Sequence, residues 1–145
     1  MPDDYAKYAA LAAAVDVPLA AGEQESTSHD FQRLIDAGVD VLQPDVTRAG
    51  GIAETLRVAD LARRHGRRCI PHAWSTGIIK AATLHTLAAM PEAELFEYCV
   101  QTTALNRGLV TDTFPVTDGT VAVPQGPGLG IEIDEDMLEA CRVTS

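Results

Sequence analysis

The chain has 145 residues, 46% hydrophobic and 22% charged, which is enough apolar mass for one globular domain with a core and too much for a disordered tail. A formal net charge of -10 excludes a protein that holds nucleic acid or an anionic membrane through its overall field, because phosphate binding needs clustered Lys and Arg. Cys69, Cys99 and Cys141 are odd in number and show no CxxC spacing, so they signal neither a disulfide framework nor a zinc site.

In chain order, Pro2 to Val15 predicts a helix, with Pro2, Asp3 and Asp4 suited to a first turn and an alanine-rich run behind them. Pro18 to Ala21 is a short strand of small residues closed by Gly22 and Glu23. Ser26, Thr27 and Ser28 offer caps for a helix through Phe31, Leu34 and Ile35, which stops at Ala37-Gly38. Val39 to Gln43 is the next strand, closed by Pro44 and Asp45. After Gly50-Gly51 the pattern gives a helix from Ile52 to His65, with Ile52, Leu56, Ala59 and Ala62 on one side and Gly66 as its stop. The basic cluster Arg63, Arg64, Arg67 and Arg68 sits at that helix end, where cations suit the macrodipole. Arg68 to Pro71 is a third strand, ending at His72. Ser75 or Thr76 caps a helix from about Gly77 to Met90, Pro91 stops it, and Leu95-Phe96-Glu97-Tyr98 is a fourth strand.

The last third changes character. Leu105 to Phe114 has no strong period and is expected to be a loop. Pro115 to Pro124 is a hairpin with Asp118-Gly119 as its turn. Gly126-Pro127-Gly128-Leu129-Gly130 is a tight turn; it lacks the GxGxxG spacing and the βαβ setting of a phosphate-binding loop. Asp134 to Cys141 is a short final helix with an acidic first turn.

Glu23, Asp45, His72 and Glu97 each follow or end a strand-like run, and they stand 22, 27 and 25 residues apart, the length of one strand-helix unit. One ionisable group per strand end at that period is what a (β/α) barrel produces when its active site is assembled from successive strands. A whole barrel takes about 250 residues. The expected fold class is therefore α/β: half of a TIM-type barrel with about four β/α units over residues 1-104, followed by a C-terminal loop, hairpin and short helix over 105-145.

Several stretches carry a resemblance: Ala21-Gly22-Glu23, Gln43-Pro44-Asp45-Val46-Thr47-Arg48-Ala49-Gly50-Gly51-Ile52, Pro71-His72, Phe96-Glu97-Tyr98 and Pro127-Gly128-Leu129-Gly130. In this order and spacing the chain resembles the carboxyl-terminal half of the mandelate racemase and muconate lactonizing enzyme family of the enolase superfamily. The resemblance implies a modified TIM barrel with a capping domain, to which the C-terminal hairpin and helix would belong. It implies that Glu23 matches the last of three carboxylate ligands to magnesium. Asp45 and His72 match a dyad whose imidazole removes the proton alpha to a substrate carboxylate, and Glu97 matches the acid that meets that carboxylate or its enediolate. An Asp-His pair, rather than lysine bases, is similar to the mandelate racemase and acid-sugar dehydratase subgroup.

The resemblance begins beyond the family's other two magnesium carboxylates, its lysine-bearing strand and most of its cap. Mg2+ is thus the implied cofactor, held weakly or not at all by this chain alone, and the chain alone is expected to be inactive. Two function classes follow. One is part of an acid-sugar (aldonate or aldarate) dehydratase, or of a hydroxy-acid racemase, acting on a small-molecule carboxylate. The other is a non-catalytic half-barrel that self-associates through its open edges. The partner is accordingly a missing N-terminal half or a second copy, with no nucleic acid and no membrane. No apolar run approaches the roughly 20 residues that span a bilayer, and the opening Met1-Pro2-Asp3-Asp4 lacks a basic secretion start, so the cytoplasm is the expected location. His29, His65 and His85 read as cap or helix-surface residues. Lys80 lies inside a helix and is not the base. Trp74 either walls the pocket beside His72 or packs.

Overall fold

In the computed structural model, which describes residues 4–93, 95–101 and 103–143, the first helix is α1, Tyr5–Ala12. The expected start at Pro2 lies partly outside the described residues. Within them Asp4 is the N-cap, accepting from the Lys7 amide at 3.3 Å. No residue of α1 is fully buried, so no packing extends the helix to Val15; only Tyr5 and Tyr8 reach the core.

Three β/α steps follow. Strand β1 is Ala20–Ala21, helix α2 is Ser28–Asp36, β2 is Val41–Leu42, α3 is Ile52–Arg64, β3 is Arg68–Cys69 and α4 is Gly77–Ala89. The strands form one parallel sheet in the order β1-β2-β3, with Ala20 opposite Val41 and Val41 opposite Arg68. The ladders are shorter than the sequence pattern suggests because Pro44 and Pro71 bring no N–H to them. Pairing nevertheless resumes beyond the prolines: Asp45 and His72 form a parallel bridge, and the His72 amide donates to the Pro44 carbonyl at 3.1 Å.

The caps explain the helix bounds. The Thr27 amide and hydroxyl donate to the Asp30 carboxylate at 3.2 and 3.0 Å, fixing the start of α2. Thr76 accepts from the Ile79 amide at 3.3 Å at the start of α4. Gly66, at φ 63°, ends α3 in a conformation that side-chain-bearing residues avoid.

Phe31, Leu34 and Ile35 of α2, Val58 and Ala62 of α3, and Val39, Leu42 and Ala49 make one core between the helices and the sheet. Here the expected face of α3 is corrected. Thr55, Val58 and Ala62 are its buried residues, whereas Ile52 is exposed and Leu56 and Ala59 are half-buried. The buried stripe turns by part of a helical step because Thr55 satisfies its hydroxyl inside the helix, on the Gly51 carbonyl at 3.0 Å, and so enters the core as if apolar.

The fourth strand expected at Leu95–Tyr98 is corrected as well. Residues 95–101 are irregular, and no backbone hydrogen bond joins them to β3 among the described residues. The strand-like pattern reflects packing instead: Phe96 and Tyr98 stack edge to face, with ring centroids 5.9 Å apart, against a second core. That core joins Ala81 and Leu84 of α4 to Val110, Phe114, Val121, Val123 and Leu129.

The stretch expected to be a loop contains a short helix, α5, Ala104–Gly108, capped by Thr103, which accepts from the Asn106 amide at 3.1 Å. Strands β4, Val116–Thr117, and β5, Thr120–Val121, pair antiparallel about Asp118-Gly119, both at positive φ. The last helix, α6, is Glu135–Ala140, and Asp134 caps it by accepting from the Met137 amide at 2.8 Å. All three cysteines are free, and no helix among the described residues is long and apolar enough to cross a membrane.

Candidate active site

The candidate residues meet at the carboxyl ends of the strands. Glu23 follows β1, Asp45 follows β2 and His72 follows β3, so the parallel register that sets Ala21, Leu42 and Cys69 side by side also sets these three groups side by side. Such ends are where α/β barrels keep their chemistry.

Asp45 is buried. Its Oδ1 accepts from the Thr47 amide at 2.8 Å and the Thr47 hydroxyl at 2.5 Å, and its Oδ2 faces His72 Nδ1 at 2.8 Å. With Asp45 accepting, Nδ1 carries a proton, and Nε2 is the nitrogen left to gain or lose one. Nε2 lies 3.2 Å from Glu23 Oε2, a carboxylate about half exposed. A neutral imidazole with its proton on Nδ1 has only a lone pair to offer Glu23, so this contact is attractive when His72 is charged.

Glu97 joins from the irregular segment, where its Oε2 accepts from Gln43 Nε2 at 3.4 Å. Glu23, Asp45, His72 and Glu97 therefore line one cavity of about 540 Å3, together with Thr47, Arg48, Trp74, Ser75, Thr76 and Ile79. Trp74 is exposed at its wall. Ser75 holds φ at 100°, a strained position for a residue with a side chain, where the chain turns from β3 into α4.

Sequence reasoning missed Gln43, Thr47 and Ser75 as parts of the site. The Asp-Val-Thr spacing was the readable signal for Thr47, since an Asp carboxylate closes an Asx-type turn by accepting from the backbone amide two residues on, and a Thr there adds its hydroxyl to the same oxygen. Nothing in the sequence marks Ser75. The other histidines lie elsewhere: His29 and His65 are exposed, and His85 bonds the Leu129 carbonyl at 3.1 Å. A second cavity, of about 560 Å3, lies at the amino end of β3 between α3 and α4. It contains none of the candidate residues, and its Arg63 and Arg67 are paired with Asp60 and Asp40.

The model of the enolase C-terminal domain-like family matches residues 1–137. The chain belongs to that family. It is 34% identical, over 99% of its own length, to a D-galactarolactone cycloisomerase of Agrobacterium fabrum, and spans 40% of that protein. It is 37% identical, over 91% of its length, to a D-galactonate dehydratase of Xanthomonas oryzae pv. oryzae, and spans 36% of it. Its fold superposes with a TM-score of 0.88 on a mandelate racemase/muconate lactonizing enzyme from Jannaschia sp. CCS1, at 32% identity over 100% of this chain and 37% of the other. The chain thus spans about 40% of the relatives it matches, the carboxyl-terminal portion of mandelate racemase-type, TIM-barrel members of the enolase superfamily.

Enolase-superfamily members generally use magnesium. Among the described residues no three His, Cys, Asp or Glu side chains form a metal-holding group. Glu23 is about half exposed beside His72 Nε2, and Asp45 is committed to Thr47 and His72. Magnesium keeps its waters tightly and takes more than one carboxylate in most sites, so the side chains of this chain do not by themselves fit it.

Proposed function

We propose that this chain supplies the acid-base half of an acid-sugar dehydratase: a magnesium-dependent enolase-superfamily enzyme that removes the proton alpha to a substrate carboxylate. The observation that carries the reading is the 2.8 Å contact between Asp45 Oδ2 and His72 Nδ1 at adjacent strand ends, with Nε2 turned into a cavity that also holds Glu97. The relatives named for D-galactonate and D-galactarolactone favour an aldonate or aldarate as substrate.

In this proposal His72 is the base. The alpha C–H bond breaks, the proton goes to Nε2, and the electron pair spreads into the carboxylate to give an enediolate. Asp45 holds the ring and steadies the imidazolium that results. Glu97, as a hydrogen-bond donor, receives the developing charge on the carboxylate oxygen. The imidazolium gives that proton to the beta-hydroxyl, whose C–O bond breaks to release water as the enediolate electron pair forms the C=C bond, and the resulting enol tautomerises to a 2-keto acid. Glu23 is the one metal ligand the chain contributes; the remaining carboxylates come from the barrel half that its relatives have and this chain does not span.

The test is an assay of the chain joined to a complementary amino-terminal barrel half, with magnesium and a panel of acid sugars, for 2-keto acid. Product formation that disappears in His72→Asn is expected. Equal turnover by the variant overturns the assignment, and alpha-deuterium exchange without keto acid assigns a racemase instead.

A second reading rests on the sheet. With β1 and β3 at its edges, the three-stranded sheet has no further strand on either side among the described residues. Two copies can therefore pair into a closed, non-catalytic assembly. Sedimentation of a compact monomer at micromolar concentration would exclude it.

A further inference from the structure

Lys80 is buried in the middle of α4, 5% exposed, and no part of the proposed reaction uses it. A buried ammonium is costly unless its surroundings answer it. Here the partners include the Asn106 side-chain carbonyl, which accepts from Nζ at 2.9 Å, and the face of Tyr98, with Nζ 4.9 Å from the ring centroid. Asn106 in turn donates to Cys99 Sγ at 3.4 Å, and the Tyr98 hydroxyl donates to the Phe114 carbonyl at 2.7 Å.

Tyr98 and Cys99 adjoin the position that matters. They follow Glu97 directly, in a segment that no backbone hydrogen bond ties to β3 among the described residues. Glu23, Asp45 and His72 are placed by backbone register; Glu97 is not. What holds residues 95–101 is side chains: Phe96 against Tyr98, Tyr98 on Phe114 and beneath Lys80, and Cys99 on Asn106. Phe96 and Tyr98 pack on the second core while Glu97, between them, meets Gln43 and the cavity, so anchoring Tyr98 against α4 fixes the side to which Glu97 turns.

We infer that Lys80 is a positioning residue for Glu97, acting through Tyr98 and Asn106. The inference rests on the proposed role of Glu97 only for its functional meaning; the placement itself is a structural claim that does not need turnover. An ammonium suits the task better than an apolar side chain of the same length. It binds an aromatic face and a carbonyl at once, so the segment has a single favoured register against α4. With a methionine in its place the helix still packs, but Tyr98 and Asn106 lose their shared centre.

The experiment follows the side-chain amide of Gln43 by 15N NMR in the 145-residue chain. Glu97→Gln first defines the signal position when the carboxylate on Gln43 is lost. Lys80→Met, which keeps the volume, is expected to move the Gln43 amide most of the way to that position, and Lys80→Arg to leave it near the wild-type one. His72 ring signals should stay in place in both. A Lys80→Met chain with a lower unfolding midpoint but an unmoved Gln43 amide shows that Lys80 serves stability alone, and overturns the inference. If Lys80→Met does not fold, Asn106→Ala and Tyr98→Leu, which remove the same contacts one at a time, are read in the same way: an unmoved amide in both overturns it. Failure of Glu97 as a catalytic group, seen as unchanged turnover in Glu97→Gln of the joined enzyme, sinks the functional reading while leaving the placement result standing.

Discussion

Two sides of the cavity are built by different means. On one side Asp45 and His72 ride on a parallel ladder: their backbones bridge, the His72 amide is bonded to Pro44, and Leu42 anchors β2 in a core of fully buried residues. On the other side Glu97 sits on a segment without ladder bonds, kept in place by Tyr98, Cys99 and Gln43. Backbone register fixes a side chain to within a small displacement and depends little on any one neighbour. Side-chain anchoring depends on each neighbour separately. The cavity is therefore robust at Asp45 and His72 and sensitive at Glu97.

The largest expected break in that comparison is chemical. In the joined enzyme His72→Asn should lower alpha-proton exchange by about 10^2- to 10^4-fold, the usual contribution of a positioned acid-base group. Measured deuterium incorporation at the alpha carbon checks it, while thermal unfolding stays near wild type. Next in size, Phe31→Ala should cost the ladder side about 3–5 kcal/mol in urea unfolding, because Phe31 is wholly buried and packs with Leu34 and Leu42 under β1 and β2. If that substitution leaves His72 exchange unaltered in the surviving folded fraction, the ladder rather than the core sets the dyad.

Tyr98→Phe is a smaller change on the other side. It removes the bond to Phe114 and should cost about 0.5–1.5 kcal/mol by the same unfolding measurement. The comparison predicts that it also disturbs the Gln43 amide, whereas Phe31→Ala at comparable folded fraction does not. An equal disturbance by both would mean that the two sides are not independent.

The smallest effect near neutral pH concerns Cys69, on β3. Burial pushes its thiol from 9.0 up to about 12. In the unfolded chain the thiol ionises near its ordinary value, so above that pH the folded state holds more protons than the unfolded one, and stability falls as pH rises between about 9 and 12. Below that window Cys69 contributes no slope. The difference in urea midpoint between wild type and Cys69→Ala across the alkaline range checks this, and in the folded chain the exposed Cys141 should alkylate well before Cys69.

Much of this was legible before any coordinates. Glu23, Asp45 and His72 declared themselves by spacing, since a strand-helix unit has a nearly fixed length and the residue after each strand must lie at the same end of the sheet. The Gly66 stop and the Thr27 and Thr76 caps were legible for the same reason: each is a local rule. Glu97 does line the same cavity, but the strand assigned to it was not there. Leu95-Phe96-Glu97-Tyr98 alternates as a strand does, yet its aromatic residues answer to a neighbouring core and no ladder forms. The inward face of α3 was misread at Thr55, whose hydroxyl is hidden by a bond to its own helix. Lys80 read only as a residue inside a helix; its contacts with Tyr98 and Asn106 join residues 18 and 26 positions away, and no local pattern announces such a meeting.

Trp74 has one more consequence. It is the only tryptophan in the chain, and it stands 48% exposed at the wall of the cavity shared by His72 and Glu97. Excited at long ultraviolet wavelength, the molecule therefore emits from one place, and that place is the mouth of its own site. An acid sugar or a second polypeptide that displaces water there shifts the emission to the blue, so occupancy can be followed in dilute solution without a label.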